Sequence, residues 1–293
     1  MTGTVEPAAP DRSVVRIGIA SSAAGFWLVS LAPVIVAGGG VHGTVMAFWR
    51  AGLGLVGFGL YALWRRDLTW RVLRISAVPG LCFAGAIGLF FWSAQITSIA
   101  NASLLTTLQP IVLMVAGVVM FGERVTVKDW MWAGLAITGA VVIVVAGDSG
   151  GTGDIKGDLI ATVSVIIGAG YFIYGKRVLE TVDPHVFMAA MLFWGTLLLT
   201  AMALISREDL TADTTGDWVR IAAVALFPGL GHLALSHAQN KAPLALMGVI
   251  QLLMPVNSTL LAYFFLDQSV TAFQVVGMAL VITALSVQTL SKS

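Results

Sequence analysis

Long apolar runs separated by short polar breaks dominate this sequence and decide the solvent in which it can fold. Each run is close to the ~20 residues that a helix needs to cross the hydrocarbon core of a bilayer. The runs are continuously apolar rather than alternating, and a lone span must satisfy its own backbone hydrogen bonds, which favours helices over a membrane barrel. The sequence predicts an all-α integral membrane protein with ten transmembrane helices at approximately residues 15–36, 43–64, 73–94, 102–121, 129–147, 158–178, 186–206, 219–238, 243–266 and 271–290.

The amino-acid composition agrees with folding in a membrane and argues against several other classes of protein. Only 11% of the residues are charged, against roughly 25% in soluble domains, and the mean hydropathy is +0.91. The net charge of +1 comes without a basic cluster, so no nucleic-acid partner is expected. Cys82 is the single cysteine, which rules out an intrachain disulfide, and the four histidines form no metal-ligand pattern with it. No cofactor is expected.

The basic residues predict the orientation in the membrane. With the N-terminus inside, twelve Lys and Arg residues lie in cytoplasmic segments, three (Lys156, Arg207 and Arg220) lie in outer segments, and Arg50 lies within a span. Basic residues favour the cytoplasmic side. Both termini are therefore predicted in the cytoplasm.

The sequence contains the same pattern of residues twice. Residues 104–126 and 249–271 are apolar runs with a proline near the front and a Val-Thr pair at the end, and Pro110 matches Pro255. Five spans per copy is an odd number, so the second copy must insert upside down, which is how many secondary transporters build alternating access. The predicted organisation is a flexible tail (1–14), a first five-helix repeat (15–147), a linker loop (148–157) and a second, inverted five-helix repeat (158–290).

These features resemble the drug/metabolite transporter superfamily, of the EamA type with two five-span repeats. The residues that carry the resemblance are the paired prolines, the turn Gly122-Glu123-Arg124-Val125-Thr126 after the fourth span, and Trp49-Arg50 in the second. The second repeat departs from the pattern, with Asp267-Gln268 in place of glycine and glutamate. Within the superfamily the chain is most similar to the YddG-type exporters of aromatic amino acids. The resemblance implies export of small metabolites.

The paired prolines mark candidate hinge and binding positions. A proline removes one helical hydrogen bond and presses on the carbonyl four residues earlier, so Pro110 and Pro255 are expected to free the carbonyls of Thr106 and Gln251. We expect these carbonyls, with the side chains of Gln109 and Gln251, to face a substrate cavity. The alternative is that both kinks only shape helix packing.

Two further side chains are candidates for binding a polar solute. Arg50 lies about two turns from the outer end of its span, where it either attracts a substrate carboxylate or bonds helix-end carbonyls. His232 lies near mid-span, where it is a packing residue, a cavity residue or a proton carrier, because imidazole titrates near neutral pH.

Aromatic residues deep in the spans are the remaining candidates. Trp27, Tyr171 and Trp194 offer ring faces to an aromatic or ammonium-bearing solute, or simply pack against neighbouring helices.

The sequence favours a transporter, not an enzyme, in the bacterial inner membrane. Its partners would be a small-molecule substrate and the lipid bilayer, and the architecture is compatible with a monomer. Because no Asp or Glu lies deep in a span, amino acids, including aromatic ones, fit better than lipophilic cations. A multidrug exporter of cations, a membrane scaffold and an intramembrane enzyme are the alternatives, and the energy coupling stays open.

Overall fold

The computed structural model describes residues 12–37, 43–97, 99–147, 154–207 and 210–292, and this part of the chain forms helices joined by short turns. The predicted tail and linker lie mostly outside these ranges. The helices are α1 (Arg12–Val29), α2 (Leu31–Ala37), α3 (Gly43–Arg65), α4 (Trp70–Ile75), α5 (Ala77–Ile96), α6 (Ile99–Thr106), α7 (Gln109–Phe121), α8 (Val127–Gly147), α9 (Ile155–Leu179), α10 (Pro184–Ser206), α11 (Thr215–Gln239), α12 (Leu244–Ile250), α13 (Leu253–Leu266) and α14 (Ala272–Lys292).

The structure confirms the predicted class of fold. Within the described ranges, nine helical segments are long and apolar enough to cross a membrane, and a shorter apolar helix covers Ala77–Ser93. With this shorter helix the ten predicted spans are all accounted for. The protein is a multi-pass membrane protein.

Four spans predicted as continuous are broken by a turn. The break comes two to four residues before a proline, because the ring removes a donor and clashes with the preceding turn. The breaks and their prolines are Ser30 with Pro33, Ser76 with Pro79, Thr107-Leu108 with Pro110, and Gln251-Leu252 with Pro255. Pro228, by contrast, lies inside the unbroken α11.

One expectation about these breaks is wrong. The carbonyl of Gln251 is not left free, because the backbone N–H of Met254 donates to it at 2.9 Å. The chain tightens into a 3₁₀-like turn at the break and recovers the bond that Pro255 removes from the α-helical pattern. Any role of Gln251 in binding therefore rests on its side chain.

Exchanging the two repeats leaves the principal helix contacts unchanged. In the exchange α1 corresponds to α9, α3 to α10, α5 to α11, α7 to α12–α13, and α8 to α14. The contact of α1 with α11 becomes that of α9 with α5, and both are extensive. The contacts of α3 with α10, α7 with α12, and α8 with α14 map onto themselves.

The turns obey the same symmetry. Thr126 caps α8 and Thr271 caps α14, each through reciprocal bonds with the side chain three residues on, Asp129 or Gln274. These are capping boxes, and they explain why the Val-Thr pair occurs twice. The described residues with left-handed backbone also form two corresponding pairs, Gly122 with Asp267 and Arg66 with Arg207.

Helix directions define two faces of the bundle. We call the end where α1 begins and α14 ends the terminal face, and the opposite end the far face. With ten alternating spans, α7, α9 and α11 end at the terminal face, where α8, α10 and α12 begin.

The helices α8 and α14 cross at very short range. A Cβ atom built on Gly139 would lie 2.6 Å from the carbonyl oxygen of Gly277, and one built on Gly277 would lie 2.7 Å from that of Gly139. Small residues allow such close approach of two membrane helices.

Candidate functional site

A cavity of about 580 Å³ runs from the middle of the bundle to the far face. Its deepest walls are the two helix breaks, with Pro110 and Pro255 both lining it. At the far face it reaches Gly147, the last residue of α8, and Gln274 in the first turn of α14. Its volume lies within the range of ~300–1,000 Å³ that is typical of small-molecule sites.

The polar part of the wall comes from five spans. Its side chains are Arg50, Ser103, Thr106, Thr107, Gln109, Ser164, Gln251, Ser258, Thr259 and Gln274. Arg50, Thr106, Gln109 and Gln251 were predicted from the sequence, and the structure brings these four together with both prolines. The three serines, Thr107, Thr259 and Gln274 were not predicted. Ser103 precedes Thr106 and Thr107 at helical spacing, and this spacing was the available signal.

Two glutamine side chains join the repeats at the bottom of the cavity. The amide nitrogen of Gln251 donates to Oε1 of Gln109 at 2.6 Å. The other amide atom of Gln251, Oε1, is buried and has no hydrogen-bond partner within the described structure. A buried acceptor without a donor is costly, so a ligand with an N–H or O–H group would satisfy it.

Arg50 supplies the positive charge of the cavity. Its guanidinium carbon lies 5.6 Å from the centre of the Phe83 ring, a cation–π distance. Across the described ranges, no carboxylate lies within ion-pair distance of Arg50, although four other ion pairs are present. Its neighbour Trp49 fixes this end of α3, because Trp49 Nε1 donates to the carbonyl of Leu210 at 2.7 Å.

Tyr171 and His232 lie beneath the cavity rather than in its wall. His232 Nδ1 is 3.4 Å from the Tyr171 hydroxyl, and the His232 ring packs edge-on against Phe83 with centroids 4.9 Å apart. Ser236, one turn further along α11, bonds back to the carbonyl of His232. We call Tyr171, His232 and Ser236 the buried polar cluster; all three are at most 9% exposed.

The two candidate tryptophans lie elsewhere. Trp27 is 48% exposed and is not among the residues that line the cavity. Trp194 Nε1 donates to the carbonyl of Leu73 at 2.8 Å, which ties α10 to α4. The structure therefore does not bring either indole into the cavity.

At the terminal face the bundle is closed around Glu123. Its two carboxylate oxygens accept the backbone N–H groups of Leu244 and Ala245 at 2.6 and 2.9 Å, and so cap the start of α12. Lys176 at the end of α9 donates to Glu123 at 2.9 Å and to the carbonyl of Ala242 at 3.0 Å. These bonds join the terminal-face ends of α7, α9 and α12, and we call them the Glu123 clasp.

The sequence matches a known family over nearly its whole length. Residues 16–145 and residues 155–290 each match the EamA-like transporter family. The two matched segments correspond to the two repeats of the fold.

Individual proteins are similar over most of their length. Protein RarD of Streptomyces exfoliatus is 25% identical over 248 residues, which cover 81% of this chain and 76% of RarD. The uncharacterized transporter YyaM of Bacillus subtilis is 24% identical over 248 residues, 80% of this chain and 81% of YyaM. A crystal structure with 19% identity superimposes with a TM-score of 0.80 and covers 96% of this chain and 98% of its own, so it shares the fold.

Proposed function

The chain belongs to the EamA-like transporter family, and on that premise we propose that it exports small metabolites across the bacterial inner membrane, with amino acids, including aromatic ones, as the substrate class. The observation that carries the proposal is the cavity at the junction of the two repeats. It combines one guanidinium, a pair of amides and several hydroxyl groups with apolar walls.

The charge of Arg50 supports a substrate that carries a carboxylate. A guanidinium in a membrane interior is costly unless it is paired. No side chain of the described structure pairs with it, so a bound carboxylate would be its counter-ion. The planar guanidinium fits a carboxylate with two parallel hydrogen bonds. The α-carboxylate of an amino acid meets this requirement.

The cavity wall argues against organic cations. Among the described residues that line it there is no Asp or Glu, and Arg50 would repel a cation. An aromatic or aliphatic side chain of the substrate would instead lie against Phe90, Phe91 and Ile87 in the apolar part of the wall. This arrangement favours zwitterions over the cationic drugs of the alternative hypothesis.

The clasp and the cavity together support alternating access. If the basic residues place the terminal face in the cytoplasm, the cavity is open to the periplasm and the Glu123 clasp closes the cytoplasmic end. The structure is then an outward-open state. Breaks next to Pro110 and Pro255 lie at the depth where the two ends of the pathway meet, so they are suitable hinges.

Uptake of labelled amino acids by proteoliposomes tests the proposal. We expect a wild-type rate above that of empty liposomes, and a rate at least about tenfold lower for Arg50→Gln, the effect of losing ~1.4 kcal/mol of binding. Arg71→Gln is the matched control, because Arg71 is exposed on a helix outside the cavity. Movement of lipophilic cations without movement of any amino acid would favour the multidrug alternative.

A further inference from the structure

The two repeats can be aligned residue by residue from their helix boundaries. Helix α3 begins at Gly43 and α10 at Pro184, 141 positions later, and they end at Arg65 and Ser206 with the same offset. The capping threonines, Thr69 of α4 and Thr214 of α11, are 145 positions apart. The ends of α8 and α14, at Gly147 and Lys292, have that offset too.

The first span of each repeat has a smaller offset. The two family matches begin at residues 16 and 155, which gives 139. Gly18 and Gly157, 139 apart, make corresponding contacts: Gly18 approaches the backbone of Ala242, and Gly157 approaches that of Thr97. Ala242 and Thr97 are themselves 145 apart, so the two offsets agree. Every position in a span therefore has a counterpart in the other repeat.

The counterparts of the buried polar cluster lie in the wall of the open cavity. With an offset of 139, Tyr171 corresponds to Ala32. With an offset of 145, His232 corresponds to Ile87 and Ser236 to Phe91. All three counterparts line the cavity that opens at the far face. The buried polar cluster therefore occupies the equivalent positions in the half of the molecule that is closed, toward the terminal face.

An inverted repeat reaches its second state when the two halves exchange conformations. Residues of one repeat that line the open cavity then become buried. Their counterparts in the other repeat become exposed in a cavity that opens at the opposite face. We propose that Tyr171, His232 and Ser236 line the substrate cavity in the state that opens at the terminal face. This inference rests on the proposed transport function and assigns the cytoplasmic half of its pathway.

A neighbouring side chain supports this assignment independently. Gln239 lies one turn beyond Ser236 on α11, is fully buried and lies close to Tyr171. Neither its amide nitrogen nor its amide oxygen has a hydrogen-bond partner of good geometry within the described structure. A buried amide in that condition is unfavourable. Opening the terminal face would expose it to water or substrate and satisfy both atoms.

The two halves of the pathway differ in chemistry. The open half presents Ala32, Ile87 and Phe91, whereas the closed half holds a phenol, an imidazole and a hydroxyl at the same positions. At these three positions, a substrate that enters from the terminal face meets hydrogen-bonding side chains that the open half lacks. Removing one of them should therefore affect substrate offered from the cytoplasm more than substrate offered from the periplasm.

Cysteine labelling from each side of the membrane tests the assignment. In a Cys82→Ala background, Ser236→Cys and its counterpart Phe91→Cys are exposed to a membrane-impermeant thiol reagent in inverted and right-side-out vesicles. We expect Phe91→Cys to react from the periplasmic side and Ser236→Cys from the cytoplasmic side. Adding Glu123→Gln, which weakens the clasp, should speed the labelling of Ser236→Cys at least about tenfold and slow that of Phe91→Cys.

The outcomes separate this inference from the proposed function. If Ser236→Cys stays unreactive from the cytoplasm in both Glu123 backgrounds while the Cys82→Ala protein transports amino acids, the pathway assignment is wrong and the transport function stands. If Glu123→Gln does not fold, Lys176→Met opens the same clasp from its other partner. A second test is kinetic. His232→Ala should raise the KM for substrate offered from the cytoplasmic side several-fold more than the KM for substrate offered from the periplasmic side. Equal changes on both sides would also contradict the assignment.

Discussion

The ammonium of Lys176 lies 2.9 Å from the carboxylate of Glu123, and the two side chains are only 16% and 11% exposed. The repeat alignment places Ala37 and Gln268 at the corresponding positions, so the other face has no equivalent ion pair. Of the ion pairs among the described residues, only this one joins the two repeats, and it lies at the terminal face. The exposed pair of Arg65 with Asp67, 51% and 47% exposed, provides a comparison on the surface.

Weakening the Glu123 clasp should shift the protein toward the state that opens at the terminal face. Glu123→Gln loses the ion pair and leaves the amides of Leu244 and Ala245 with a neutral acceptor, at a cost of roughly 1.5–3 kcal/mol. Spin labels at Arg124 and Lys241 would show a second, longer distance in the variant. Asp67→Asn should leave the distance distribution unchanged, since exposed ion pairs contribute roughly 0–1 kcal/mol. A distribution in Glu123→Gln equal to that of wild type would refute a closing role.

The predicted membrane topology can be read with reporter fusions. A reporter fused after Ser293 should be cytoplasmic, and one inserted at Gly151 should be periplasmic, because basic residues favour the cytoplasmic segments. Alkaline phosphatase and green fluorescent protein give opposite signals at the two positions. Signals from the same side would exclude the ten-span inverted arrangement.

Transport should not require a proton gradient. Among the described residues, no carboxylate lines the cavity, so a proton has no acidic group to share with the substrate. Purified protein in liposomes is expected to equilibrate an amino acid with equal pH on both sides. A strict need for a gradient that His232→Ala removes would overturn this prediction and make the histidine a proton carrier.

Restoring the helices at the two breaks should slow transport without unfolding the protein. Pro110→Ala and Pro255→Ala each add a backbone donor that favours a continuous helix over the break. The two rates should fall together, within roughly a tenfold factor or about 1.4 kcal/mol of each other. Gln251→Ala should also lower the rate, because it removes the amide that joins the repeats.

Pro228→Ala is the matched control for this comparison, since Pro228 lies in a helix that is not broken. The measurement is the initial rate per folded molecule for each variant. Wild-type rates in both Pro110→Ala and Pro255→Ala would show that the breaks only shape packing, and the hinge would have to lie elsewhere.

The close crossing of α8 and α14 should be sensitive to a single methyl group. Gly139→Ala places a Cβ atom 2.6 Å from a backbone oxygen, and such overpacking costs roughly 1–3 kcal/mol. Gly134→Ala, on the same helix, meets no atom within 4 Å and should stabilise by up to about 1 kcal/mol through helix propensity. Thermal unfolding in detergent should therefore move in opposite directions for the two variants.

The number of spans and their helical nature could be predicted from the sequence because apolar length alone identifies a spanning helix. The inverted duplication followed from Pro110, Pro255 and the odd number of spans. The turns inside spans were not predicted, although each precedes a proline. The reason is that Pro228 sits in an unbroken helix, so a proline by itself does not decide between a kink and a break.

The site was harder to predict than the fold. Pattern reasoning found residues near the paired prolines, since both helix breaks lie at the centre of the bundle. It had no means of telling which face of a uniformly apolar helix points inward, so Trp27 and Trp194 were indistinguishable from cavity residues. Glu123 was noted only as part of a turn, because its partners Lys176, Leu244 and Ala245 are distant in the sequence and meet it only in the fold.

The symmetry of the helix contacts has a thermodynamic consequence. If the two repeats were identical in sequence, exchanging their conformations would produce the same molecule turned over, and its two states would have equal free energy. Any preference for one state must then come from positions where the repeats differ, such as Glu123 against Gln268 or Ile87 against His232. If the carrier alternates between two states as proposed, sequence divergence after duplication sets its resting state, and single substitutions at paired positions are expected to shift it.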